Sequence, residues 1–263
     1  MNILISNDDG IYANGIKALC EALSSSYDVY LIAPNQERSA AGHSITLNSP
    51  LRVEEVGSLY GTKHSWAVSG TPGDCVKIGV NAILSSEEQP DIIISGINHG
   101  PNLGHDIIYS GTVSCAIEGA MMNIPSIAVS LNSYKPEFED FTFAATFVKS
   151  LIPKLKDFKF PEKSILNINV PGIPQDEING IVVTEMGGRM FTDNYEKRID
   201  PRGKTYYWMA GKLSTEKENE NSDIYAIRQN KISISPLTFN LTRKDVLEDL
   251  NSVLCKDNLC NWF

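Results

Sequence analysis

The chain reads as an α/β protein, with a doubly wound, Rossmann-like, mostly parallel sheet carrying helices on both faces. Two observations predict this class. Short, continuously apolar runs alternate with helical patterns through residue 131, as strands and crossover helices do. The runs are apolar at nearly every position, as strands buried on both faces are. A third observation sets the limit of the pattern: beyond residue 171 the grammar changes to turn signals, aromatic residues and polar stretches. That later part is expected to form a β-hairpin and a helix extension.

The elements follow in order. Residues 2–6 (NILIS) predict a buried strand, and 15–25 place Ile16, Leu19, Cys20 and Leu23 at helical spacing. Residues 28–33 (DVYLIA) predict a second strand, stopped by Pro34, and 65–69 (SWAVS) another. Thr71, Pro72 and Asp74 form a helix start, with N-cap, N1 proline and N3 carboxylate in place. That helix is expected to run to about Leu84. A strand at 91–95, a helix at 112–122, a strand at 126–131, a helix at 140–156 and a strand at 164–170 complete a Rossmann-like α/β core over 1–171. The extension, 172–263, holds strand-like runs at 181–185 and 231–235, a polar run at 214–223 that suits a solvated loop, and an amphipathic helix at 243–254. It is expected to pack on the core and to reach out to a partner subunit.

Composition excludes several classes. The 263 residues suffice for a sizeable core, and 42% apolar with 21% charged content is that of a folded globular chain. The net charge is -9 and the pI about 5.0, so the basic footprint of a nucleic-acid-polymer binder is absent. No run of 18 apolar residues suggests a membrane span, and no basic n-region with an apolar h-region marks a signal peptide. The five cysteines form no CxxC. Cys20, Cys75 and Cys115 fall in helical patterns as core thiols. Cys255 and Cys260 could pair but are expected to stay reduced, in keeping with a cytoplasmic location.

Ligands of a doubly wound sheet bind at the carboxyl ends of its strands, which selects four segments. Asn7-Asp8-Asp9-Gly10 follows the first strand. Two adjacent carboxylates repel unless a cation or a donor compensates, and their oxygens suit a hard divalent ion; a turn with an N-cap would use the same residues. The loop 35–44 offers Ser39 as a neutral oxygen, with Arg38 or His43 to face phosphate. The glycine-rich stretch 95–104 offers the Asn98 carbonyl oxygen. Finally, Tyr109-Ser110-Gly111-Thr112-Val113 opens a helix, where free N–H groups and the positive dipole end suit an anion. A metal site and an anion site at one sheet edge fit phosphate-ester hydrolysis.

In order and spacing, NDDG, APNQERSAAGHSIT, SGTPGDCV and SGINHGPNLGHDIIYSGTVSCAIEG resemble the SurE family of survival-protein-E nucleotidases. The resemblance spans most of the chain. It implies metal-dependent hydrolysis of nucleoside 5′-monophosphates, with 3′-nucleotides and short polyphosphate as further substrates. It implies one divalent ion per subunit, Mg²⁺ or Mn²⁺ with Ca²⁺ as a further occupant, on Asp8, Asp9, Ser39 and Asn98. Asp8, Asp9 and Asn98 are the expected catalytic set, with Asp9 the candidate to orient or deprotonate the attacking water. Ser110, Gly111 and Thr112 match the phosphate-contacting turn; His43 and Asn102 are candidate substrate contacts. A homodimer or homotetramer is implied, with the C-terminal extension exchanged between subunits. One departure lies near the C-terminus, where the family's glycine is replaced at Asn230 or Lys231.

Two other readings are weaker. A phospho-receiver domain would need an aspartate after its third strand, where SWAVS instead leads into Gly70-Thr71-Pro72. A dinucleotide-binding domain needs GxGxxG after the first strand, which is absent. A nucleotide-binding or scaffold protein of the same fold without turnover is the main alternative.

Overall fold

The computed structural model describes residues 1–188, 191–192, 194–213 and 217–256. Its centre is a nine-stranded sheet. The strands are β1 (Asn2–Ser6), β2 (Asp28–Pro34), β3 (Val53–Gly57), β4 (His64–Val68), β5 (Ile92–His99), β6 (Ser126–Asn132), β7 (Ser164–Pro171), β8 (Ile181–Val183) and, last in the chain, β13 (Ile232–Thr238). They lie in the order β3-β4-β2-β1-β5-β6-β7-β13-β8. The six strands from β4 to β7 are mutually parallel. Numbered among themselves they run 3-2-1-4-5-6, the order of the doubly wound fold, so the strand order reverses between β1 and β5. β3 joins one edge antiparallel, and β13 joins the other antiparallel to β7.

Side chains alternate across the pleat. Ile3, Ile5, Leu31 and Ile94 face one way and pack with α1 (Asn14–Ser24) and α4 (Phe138–Leu151). Leu4, Ile32 and Ile93 face the other way and meet α2 (Pro72–Ile78) and α3 (Gly111–Met121) through Cys75, Val76 and Cys115. Each fully buried Ile or Leu contributes about 1.5–3 kcal/mol of transfer free energy. Cys20, Cys75 and Cys115 are free thiols in this core. Burial pushes the Cys115 thiol up to about 12.

The predicted start of α2 is present in full. Thr71 caps Asp74 N–H, and the Asp74 carboxylate accepts from Thr71 N–H at 2.9 Å. The regular helix stops at Ile78, short of Leu84, and a π-helical turn carries on over Gly79–Ile83. A Cβ on Gly79 would lie 2.7 Å from Ile32 Cδ1, so the helix meets the sheet there with only a glycine between. α4 likewise ends at Leu151 and tightens into a 3₁₀ turn containing Pro153.

In the extension, β8 and β13 continue the main sheet. β9 (Phe191–Thr192) pairs with β12 (Lys212–Leu213), and β10 (Tyr195–Ile199) with β11 (Thr205–Met209), both antiparallel. A short helix, α5 (Asp223–Arg228), is capped by Ser222. α6 (Leu247–Lys256) is the expected terminal helix. Asn230 has φ +58°, a left-handed conformation that glycine adopts freely and asparagine tolerates, which accounts for the departure noted above. Cys255 is disulfide-bonded, contrary to the reduced state expected of it. It is exposed on α6, open to oxidation, unlike the three core thiols; Cys260 lies outside the described residues, as do residues 214–216 of the polar run. No helix among the described residues is long and apolar enough to cross a membrane.

Candidate active site

The Asn7-Asp8-Asp9-Gly10 turn leaves β1 at the point where the strand order reverses. Asn7 closes it, donating Nδ2 to Gly10 O and accepting from Gly10 N–H. Gly10 has φ +98° and lies against the backbone of Gln36 and Glu37, so the loop after β2 packs directly on the turn. Arg38 N–H donates to Asp8 O at 2.7 Å and reinforces that contact.

Asp8 is buried, 4% exposed. Its Oδ1 accepts the Thr112 hydroxyl, and the same Thr112 Oγ1 lies 3.3 Å from Asn98 Oδ1. One hydroxyl at the start of α3 therefore joins Asp8 from β1 to Asn98 from β5. A Cβ on Gly111 would lie 2.7 Å from Asp8 Cβ, so only glycine lets the helix end come this close. Burial raises the Asp8 pKa above the usual 3.8; the Thr112 hydroxyl and the backbone amides of Thr112 and Gly111 oppose the rise. Asp9 is pushed up to about 6, first by burial and next by the charge of Asp8. His99 N–H donates to Asp9 Oδ2 at 3.0 Å.

Asn98 reaches this position through an irregularity in β5. The register with β6 shifts between Ser95 and Asn98, and Gly96, at φ +129°, has Val129 O where a Cβ would stand. Such a bulge re-aims the side chains that follow it. Asn98 Nδ2 donates to Gly100 O at 2.8 Å, which turns its carbonyl oxygen toward Thr112.

The structure thus joins Asp8, Asp9, Asn98 and Thr112. In the expected phosphate turn the Gly111 and Thr112 amides bear on Asp8, and the Ser110 hydroxyl caps Val113 N–H at 3.0 Å. Ser39 is exposed and donates to Glu37 at 2.7 Å. Among the described residues no three His, Cys, Asp or Glu side chains cluster as metal ligands. The donor set is two carboxylates with neutral amide and hydroxyl oxygens. It fits a hard, oxygen-seeking divalent ion rather than zinc.

A family model described as Survival protein SurE matches residues 3–193. The chain belongs to the SurE family. It is 47% identical over 260 residues to "5'-nucleotidase SurE" of Thermosynechococcus vestitus, covering 97% of each chain. It is 46% identical over 263 residues to the protein of that name in Pelotomaculum thermopropionicum, covering 99% of this chain and 98% of the other. The crystal structure of the SurE protein from Aquifex aeolicus is similar at TM-score 0.83 and 38% identity, covering 96% of this chain and 99% of that one.

Other family-motif residues support the site rather than line it. Arg38 donates Nη2 to Ser69 O at 2.9 Å, and its Nε is buried without a partner among the described residues. Asn102, a candidate substrate contact, is turned inward. It is buried, donates to Ser130 Oγ, and its backbone binds the amides of Asn167 and Asn169. Those two asparagines alternate in the otherwise apolar strand ILNINV, a signal visible in the sequence. His105 is exposed.

His43 pairs with Glu118 at 2.9 Å, and Lys77 reaches the same carboxylate at 2.6 Å. Glu118 is 3% exposed, a lone acid in the apolar face of α3. With Thr71 Oγ1 on Ser44 O and Thr46 N–H on Asp74, it ties the loop carrying Ser39 to α2 and α3. The hydrogen bond from His43 holds the Glu118 carboxyl below its usual 4.5. Its stabilisation is therefore present above that pH and is lost as pH falls through the lower folded value. Glu118→Ala is expected to cost about 1–3 kcal/mol in denaturant unfolding near pH 7, with the difference from wild type narrowing toward pH 3.

Proposed function

We propose that the chain is a divalent-metal-dependent phosphatase that hydrolyses nucleoside 5′-monophosphates to nucleoside and phosphate, with 3′-nucleotides and short polyphosphate as secondary substrates. One observation carries the reading: the buried Asp8, linked to Asn98 through Thr112, lies beside Asp9 at the strand-order reversal. Membership of a family whose relatives are named 5′-nucleotidases supports it.

Asp8, Asp9, Asn98 and Ser39 would hold one Mg²⁺ or Mn²⁺ per subunit, with Ca²⁺ able to occupy the same oxygens. Such an ion supplies charge to polarise a phosphoryl oxygen and lowers the pKa of a water. Thr112 Oγ1 fixes the rotamer of Asp8. The α3 N-terminus adds positive potential that offsets charge on the carboxylate and on a phosphate beside it. Asp9 Oδ2 is held by His99 N–H, which would orient Asp9 to take a proton from the attacking water. Ser110, Gly111 and Thr112 border the phosphate.

Ring-bearing and apolar side chains stand exposed on β10–β11 (Tyr207, Trp208, Met209) and on α6 (Leu247, Leu250, Leu254). They support a homodimer or homotetramer with the extension exchanged between subunits. The three free buried thiols suit a cytoplasmic location, to which the disulfide at the exposed Cys255 would be an exception.

Phosphate release across a panel of 5′- and 3′-nucleotides, with and without each divalent ion, tests the function. Release is expected from 5′-monophosphates and only with metal. Binding of nucleotide without any release would establish the scaffold alternative.

A further inference from the structure

The turn Gly104–Tyr109 joins two parts of the molecule. Its far end leads into Ser110 and α3, and Tyr109 O accepts Gly42 N–H at 3.0 Å, in the loop that carries Ser39. Its near end is held by the C-terminal extension. Gly104 N–H donates to Asp223 Oδ2 at 2.9 Å, and His105 N–H donates to Gly188 O at 2.9 Å. A Cβ on Gly104 would overlap Gly188 O, so the two backbones meet with no side chain between them. Beside them Leu103 packs with Ile224 and Ile227 of α5.

We propose that Asp223 is a positioning residue for the phosphate site, setting the 104–109 turn and, through it, the Ser39 loop and the start of α3. The assignment rests on the phosphatase reading, which puts the reacting phosphate beside these segments.

Three observations support it. Asp223 is fully buried, and both its oxygens accept from backbone N–H groups: Oδ2 from Gly104, and Oδ1 from Gly187 at 2.9 Å and Ile224 at 2.7 Å. Burial makes the charged form costly, and packing alone would be met by an uncharged side chain. What the carboxylate adds is an acceptor for each of two distant chain segments. Next, the stretch before Gly104 is fixed separately, because Asn102 is held by Asn167, Asn169 and Ser130. A displacement at Gly104 therefore passes on toward Ser110 and Gly42 rather than back to Asn98. Last, the turn itself is lightly packed: His105, Ile108 and Tyr109 are exposed, while Ile107 joins the core beside α3. Its place is set largely at its ends.

Asp223→Asn separates the two arms of the clamp. Its one amide oxygen is expected to face the two donors, Gly187 and Ile224, which leaves its NH₂ against Gly104 N–H. With AMP and saturating Mn²⁺, kcat is expected to fall about tenfold, within the loss that a displacement of about 1 Å causes, while KM stays within about twofold. Hydrogen exchange at residues 104–110 and 38–44 should quicken about tenfold, with β1 and β5 unchanged. Gly187→Ala, whose Cβ would press on Asp223 Oδ1 from the extension, should lower kcat in the same direction. It carries the same two readouts if Asp223→Asn does not fold. Wild-type kcat in the variant, or exchange that quickens evenly along the whole chain, would overturn the assignment. If wild-type protein releases no phosphate, the hydrolytic reading fails on its own. Exchange then decides the role of Asp223: quicker exchange confined to 104–110 and 38–44 supports it, and unchanged exchange there overturns it.

Discussion

Asp8→Asn is expected to lower phosphate release from AMP by at least about a hundredfold while leaving the metal-free protein as stable as wild type or more so. Asp9→Asn is expected to show the same loss. The size follows from where the residues stand. Removing an outer partner of a metal ligand costs about 10–100-fold, so losing a ligand carboxylate sets that range as the floor. The stability half of the result follows from burial. Asp8 is buried and its pKa raised, so its charge is a net cost to the metal-free fold. Asparagine keeps an oxygen to accept the Thr112 hydroxyl and removes the charge. A structural aspartate would behave oppositely, with stability falling first and activity following. Thermal unfolding of the metal-free variants beside their turnover separates the two.

Chelation should abolish activity, and Mn²⁺ or Mg²⁺ should restore it. The accompanying stability change has a defined pH dependence. Asp9 is pushed up to about 6 in the metal-free protein. With its folded pKa above the ordinary 3.8, Asp9 favours the folded state fully below 3.8, and that contribution is lost as pH rises through about 6. Above pH 6 the metal-free Asp9 carries its charge beside the buried Asp8. A divalent ion requires both carboxylates ionised, so its affinity should fall by roughly tenfold per unit as pH drops below about 6. At a concentration a hundred times its dissociation constant the ion adds about 2.7 kcal/mol. Mn²⁺ should therefore raise Tm more at pH 8 than at pH 5. An equal shift at both pH values, or none, would place the ion elsewhere.

Much of this site was legible in the residues. The helix start at Ser110 carries its own N-cap signal, and the acidic pair and Asn98 stand at the carboxyl ends of β1 and β5, which local pattern alone locates. What it could not supply is contact across the sheet. Nothing in the spacing says that Thr112 turns to Asp8, so the helix start read as a free anion cradle. Nor does it say that Asn102 turns inward to Ser130. Ser39 was named for its hydroxyl, yet that hydroxyl goes to Glu37, two residues away. The core strands were legible because they are apolar on both faces. β3 (VEEVG) was not: as an exposed edge strand it carries no apolar run. α5 was hidden by its length of six residues, too short for a helical period to repeat. The tether from Glu118 left one trace, a lone acid within an apolar helix, but its partners lie 41 and 75 positions away.

Return of activity to metal-stripped protein tests the central claim most directly. Wild type, Asp8→Asn and Asp9→Asn are stripped by chelation and titrated with Mn²⁺ while phosphate release from AMP is followed. The predicted result is no release before metal, recovery in wild type, and no comparable recovery in either variant. Release by the stripped wild type, or full recovery in either variant, would contradict a metal site built on Asp8 and Asp9.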